Sequence, residues 1–173
     1  SSWSKGDVVR IATDASSDTV FKGSMCFVAG NGDYRLRTRE TKASTDELEL
    51  EALTLALKYL LKVGARKAVI ESDSVAALEA VEQIVHKRGS KASRPGRTWR
   101  GVSSGARSRF QQAWGDIQGQ CEVDIRRVLG HAGDPLNRAA DQIAYMGLRA
   151  IAHPMKQSRE TLREGIQKAL LAL

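Results

Sequence analysis

The feature that most restricts this chain is a change in hydrophobic period at Thr45. Before it, apolar residues fall in three short runs of strand length; after it, they recur every third or fourth residue, as on a helix face. Val8, Val9 and Ile11 form a β-branched run that ends at Thr13-Asp14, and Gly23 to Gly30 reads as a second strand bounded by glycines. Asn31-Gly32 is a strong hairpin signal, so the alternating stretch Tyr34 to Arg39 is expected to return antiparallel. From Thr45, with Thr45 or Asp46 as candidate N-cap, DELELEALTLALKYLL keeps helical spacing up to Gly64.

The alternation of element types continues. Lys67 to Glu71 is a short apolar strand that leaves through Ser72-Asp73, and Ser74 is a candidate N-cap for a helix reaching Val85. Ala106 to Gln118 reads as helical and Cys121 to Val128 as a fifth strand. Two glycines and a proline make Gly130 to Pro135 a loop, whereas Asn137 and Asp141, spaced i,i+4, share a face of the helix that follows. Three strands first and alternating helices and strands afterwards predict an α/β domain, a mixed five-stranded sheet flanked by helices. The domain is expected over residues 7–151, with 1–6 a tail and 152–173 a helical extension whose Leu162, Ile166, Ala169 and Leu170 share one face, for packing on the domain or for a contact.

Charge is the next constraint. Of 173 residues, 42% are hydrophobic and 27% charged, enough for one folded domain, and the net charge is +7. From His86 to Arg109 there are eight bases and no acid, while the rest of the chain carries 19 bases against 20 acids, so the excess is concentrated in one segment. Such a segment suits a polyanion. Cys26 and Cys121, with no CxxC pair, exclude a disulfide framework and a structural zinc site and fit a reducing cytoplasm. No apolar run is of membrane-spanning length, so no membrane partner is expected.

Four acids stand out by placement. Asp14 and Asp73 each follow an apolar strand, where open α/β sheets gather their ligands. On the helix that starts at Thr45, Glu49 lines up with Ala52, Leu53, Ala56, Leu57 and Leu60, the face expected to meet the sheet, whereas Glu51 lines up with Thr54, Leu55 and Lys58 and is expected to face out. Asp141 opens an apolar stripe on its own helix. A carboxylate aimed into apolar packing is costly unless it is paired or binds a metal. Clustered acids call for hard divalent cations, Mg²⁺ or Mn²⁺, rather than zinc. Two such ions about 4 Å apart activate water and stabilise the leaving oxygen of a phosphodiester.

The segments ATDAS (12–16), ELEALTLAL (49–57), ESDS (71–74) and GHAGDPLNRAAD (130–141) resemble, in this order and spacing, the type I ribonuclease H family, over roughly residues 7–151. The resemblance implies a ribonuclease H-like sheet with strands one to three antiparallel. It implies an endonuclease that cuts the RNA strand of RNA/DNA hybrids with two Mg²⁺ ions, leaving 5′-phosphate and 3′-hydroxyl ends. Carried over by position, Asp14, Glu49, Asp73 and Asp141 hold metal, His131 is a mobile group for proton transfer or product release, and Asn137 supports its loop. Ser44 and Thr45, just before Glu49, are expected to hydrogen-bond the hybrid. Arg94, Arg97, Trp99 and Arg100 in the basic segment are expected to grip the phosphates and sugars of the DNA strand. A monomer is expected. The stretch Ala15 to Lys22 contains no glycine and keeps open a non-catalytic or altered-specificity nucleic-acid binder, and a DNA-cutting recombinase-like nuclease is the other alternative.

Overall fold

The computed structural model describes residues 3–18, 21–86, 102–129, 133–154 and 159–173. The order is β1 (Val8–Ser17), β2 (Gly23–Ala29), β3 (Tyr34–Arg39), α1 (Thr45–Val63), β4 (Lys67–Ser72), α2 (Val75–His86), α3 (Ser104–Ile117), β5 (Glu122–Arg127), α4 (Pro135–Ala152) and α5 (Arg159–Leu170). The five strands form one sheet in the order β3-β2-β1-β4-β5. β2 pairs antiparallel with both β1 and β3, and β4 pairs parallel with both β1 and β5. This is the mixed five-stranded sheet expected from the pattern, with strands one to three antiparallel.

Helices cover both faces. Val9, Ile11, Phe27 and Ile70 pack with Leu50, Leu53, Leu57 and Leu60 of α1 and with Phe110 and Ile117 of α3. Ala12, Cys26 and Val28 point the other way, against Ala140, Ile143 and Ala144 of α4, and Ile166 and Ala169 of α5 close that layer from outside. Each fully buried Leu or Ile contributes about 1.5–3 kcal/mol of transfer free energy, so α1 is held by packing far more than by its own propensity. Gly147 of α4 sits so close to the sheet that a Cβ there would lie 2.6 Å from Leu36 Cδ1 and 3.2 Å from Ser24 Cβ. Among the described residues, no helix is long and apolar enough to cross a membrane.

Several local expectations are corrected. The cap of α1 is Ser44, whose side chain accepts from the Glu47 N–H, and not Thr45 or Asp46. β1 does not end at Thr13-Asp14 but runs to Ser17, because β2 pairs with it through Ser17↔Gly23 after its parallel pairing with β4 has stopped at Ala12↔Glu71. Pro135 belongs to α4 as its first residue, where a missing N–H costs nothing, and Asp134 caps the helix by accepting from Leu136 N–H. Asp141 therefore lies in the second turn of α4.

Glu51 does not face out. It is 9% exposed, and Arg109 of α3 reaches its carboxylate at 2.7 Å. Glu47 is also buried, bonded by Arg39 Nη1 at 2.8 Å and by the Ser103 N–H at 2.8 Å. The helical period separated the sheet face from the rest of α1 correctly, but the opposite face is covered by α3 and β3 rather than by water. Arginines from those elements supply the compensating charge.

Candidate active site

β1 and β4 are parallel neighbours, and their last registered pair is Ala12↔Glu71. Asp14 and Asp73 each lie two residues further on, so the two aspartates leave the end of this pair at the same level. β1 continues alongside β2 with Asp14 opposite Cys26, which keeps Asp14 partly buried, while the chain after β4 turns away and leaves Asp73 exposed. Glu49 comes down from the second turn of α1 onto this point and is only 5% exposed. One carboxylate oxygen from each of Asp14, Glu49 and Asp73 lies within 4.8 Å of the others. Asp141, projecting from the second turn of α4, shares with Asp14, Asp73 and Asn137 the wall of a cavity of about 140 Å³. Asp141 is exposed to solvent as a whole residue, so its side chain borders the cavity instead of being sealed in the protein.

The electrostatics of this cluster are unfavourable without a cation. Burial pushes the Asp14 carboxyl up to about 7; a hydrogen bond from the Ala15 N–H opposes the shift, and the Asp73 charge and the Asp141 carboxyl add to it. Glu49 is raised well above the usual carboxylate range, first by burial and then by the charge of Asp14. Its Oε2 is buried and accepts no hydrogen bond among the described residues. Converging hard oxygens, a buried acceptor without a partner and mutual repulsion are the properties a divalent cation would relieve, and an all-carboxylate set favours Mg²⁺ or Mn²⁺ over softer metals. The residues present therefore fit such a metal.

Behind the cluster lies a network that the sequence did not reveal. Arg10 on β1 bonds Glu71 on β4 through Nε at 2.5 Å and also bonds the carboxylate of Asp134. Asn137 donates through Nδ2 to Glu71 Oε2 and to Asp134 Oδ2, both at 3.2 Å. The network fixes the N-terminus of α4, and hence Asp141, to the two central strands that carry Asp14 and Asp73. A local signal existed only for Asp134, as an Asp before a Pro at a helix start. Arg10 and Glu71 meet across 61 positions of sequence, beyond any local pattern.

Ser44 and Thr45 lie at the start of α1, the first as its cap and the second with its hydroxyl 2.7 Å from that of Ser17. They are one to two turns from Glu49 and stand beside the end of β1. His131, Arg94, Arg97, Trp99 and Arg100 lie outside the described residues. Cys26 and Cys121 are free and buried. Burial pushes the Cys26 thiol well up, in keeping with an inert core residue that donates to the Ala140 carbonyl at 3.2 Å.

No curated protein sequence matches the chain. Among solved structures, it is similar to the N-terminal RNase H domain of a Mycobacterium tuberculosis protein, determined as a fusion with maltose binding protein. The TM-score is 0.60 at 19% identity, over 85% of this chain and 97% of that one. At that identity the likeness concerns the fold. The family model described as RNase H matches residues 6–149, which include all four acids and every strand of the sheet. With most of its length matched in this way, the chain belongs to the RNase H family.

Proposed function

We propose that this chain is an endoribonuclease that hydrolyses the RNA strand of RNA/DNA hybrids with two divalent cations, Mg²⁺ with Mn²⁺ as a substitute, and leaves 5′-phosphate and 3′-hydroxyl ends. The observation that carries the reading is the convergence of Asp14, Glu49 and Asp73 from three different elements to within 4.8 Å, with Asp141 on the same cavity wall. Asp14, Glu49, Asp73 and Asp141 are the metal ligands in this reading. Bound there, divalent cations supply Lewis acidity toward the phosphoryl oxygens and lower the pKa of an attacking water.

The other residues bind, orient and move protons. Asn137, with Arg10, Glu71 and Asp134, holds α4 in register with the strands, so the ligand set is preorganised before substrate arrives. Ser44 and Thr45 donate hydroxyl hydrogen bonds to phosphate or 2′-hydroxyl groups, and Arg94, Arg97, Trp99 and Arg100 take the DNA strand. His131 carries a proton between water and the leaving oxygen and assists release of the cut end. One copy of residues 7–151 contains every group named, so the reading requires a monomer only, and residues 152–173 are an extension docked through α5.

The test is direct. A 5′-labelled hybrid incubated with Mg²⁺ is expected to yield RNA fragments with 3′-hydroxyl ends, and Asp73→Asn is expected to abolish them. His131→Ala is expected to slow turnover roughly 10- to 100-fold while metal binding by calorimetry persists. Undiminished cleavage by Asp73→Asn, or 2′,3′-cyclic phosphate ends, would refute the reading.

A further inference from the structure

The edge strand β3 places its residues alternately on the two sides of the sheet. Tyr34 and Leu36 pack with the α4 layer, while Arg35 and Arg37 are registered with Phe27 and Met25, which belong to the α1 side. Beside them, α1 presents Lys58 and Lys62 from its last turns, and between strand and helix runs a groove of about 530 Å³ lined by Phe27, Leu55 and Tyr59. Arg35, Arg37, Lys58 and Lys62 are exposed and make no hydrogen bond or ion pair among the described residues. The next arginine of the row, Arg39, differs in bonding Glu47 at 2.8 Å. The groove's one acid, Asp33, is already occupied, accepting from Tyr59 Oη at 2.5 Å and from Asn31 Nδ2 at 3.2 Å. Four unpaired cations thus surround a groove whose single carboxylate is turned to the protein.

Its position relates it to the acid cluster. Arg37 is registered with Met25, which is registered with Ala15, the residue after Asp14. Two strand spacings of about 4.8 Å separate them, so the row lies roughly 10 Å to the side of the acids. A duplex carries about one phosphate charge per 1.7 Å of its axis, and one engaged at Asp14 therefore passes several phosphates within reach of this row.

We propose that the groove between β3 and α1 is a nucleic-acid contact in which Arg35, Arg37, Lys58 and Lys62 hold the sugar-phosphate backbone of the hybrid beyond the position of cleavage. The occupant follows from charge complementarity: a polyanionic strand satisfies four cations that the protein leaves unpaired, and the Tyr59 wall suits the apolar edges of sugars. The inference deepens the functional reading and rests on it for the identity of the duplex. It concerns residues outside the basic segment between His86 and Arg109, since all four cations belong to β3 and α1.

The experiment compares wild type with a fourfold variant, Arg35→Gln, Arg37→Gln, Lys58→Gln and Lys62→Gln, and with Arg35→Lys plus Arg37→Lys as the charge-retaining control. Binding of a hybrid of roughly 20 base pairs is measured in EDTA over a series of salt concentrations, Mg²⁺ binding is measured by calorimetry, and cleavage by wild type is measured in Mg²⁺. The fourfold variant is expected to bind the hybrid about tenfold more weakly, with a log K against log salt slope reduced by roughly 2–3. Its Mg²⁺ affinity is expected to match wild type, and the lysine control is expected to bind the hybrid normally. Unchanged affinity and slope for the hybrid, an equal loss of hybrid binding in the lysine control, or no binding of the hybrid by wild type would each overturn the proposal. Self-association of the fourfold variant with unchanged binding would also overturn it, by showing that the charges only guard the sheet edge. Absence of cleavage by wild type together with the variant's loss of binding would leave the groove as a nucleic-acid contact and remove the nuclease reading instead.

Discussion

Glu49 on α1 and Asp14 on β1 meet carboxyl to carboxyl, and burial raises both. The consequence is a site that favours protons or cations over two bare charges.

That consequence is measurable as stability. Asp14 is raised from 3.8 to about 7, so between these values the folded chain binds the proton more tightly than the unfolded chain does. Stability without metal is therefore expected to fall as pH rises from about 4 through 7, with the full cost present above it, on the order of 1.4 kcal/mol for each pKa unit. Thermal unfolding in EDTA should show a lower Tm at pH 8 than at pH 5.5, and Mg²⁺ should recover much of the difference at pH 8. A Tm that rises with pH in EDTA would contradict the electrostatics described for this pair.

Two glutamates on α1, two positions apart, are expected to respond in opposite directions. Glu49→Gln removes a buried charge whose Oε2 has no partner, and should raise stability in EDTA at pH 8 while abolishing activity. Glu51→Ala strands Arg109 and should lower stability by about 1–3 kcal/mol, leaving activity per folded molecule within a few-fold of wild type. Urea unfolding beside a cleavage assay separates the two effects.

Arg10 tests the network behind the acids. Arg10→Met leaves Glu71 bonded by Asn137, and Asp134 bonded by Asn137 and the Leu136 N–H, and is expected to cost roughly 1–2 kcal/mol. It should also weaken Mg²⁺ binding measured by calorimetry, because the start of α4, and with it Asp141, would be fixed less firmly to β1 and β4. Loss of stability with unchanged Mg²⁺ affinity would assign Arg10 a purely structural role.

The division between what the sequence disclosed and what it did not follows the range of the interactions. The five strands, the hairpin at Asn31-Gly32 and the sheet face of α1 are written in local period and turn chemistry, and Glu49 was found because it shares that period with Leu53 and Leu57. Glu51 was misplaced because its partner, Arg109, stands on a helix 58 positions away that the period of α1 cannot report. The end of β1 was misplaced for a related reason. Pairing with β2 outlasts pairing with β4, so Asp14 is at the end of one ladder and within the other. Arg10 carried no local mark, since its role exists only when β4 and the start of α4 are brought beside it.

The central claim is hydrolysis of the RNA strand of a hybrid by the four-acid site. Its most direct test offers RNA/DNA hybrid, duplex DNA and duplex RNA of the same sequence side by side, each with Mg²⁺ and with EDTA. Cleavage of the RNA strand of the hybrid alone, in Mg²⁺ alone, is the expected result. Cleavage of duplex DNA in preference to the hybrid, or hybrid cleavage that persists in EDTA, would contradict it.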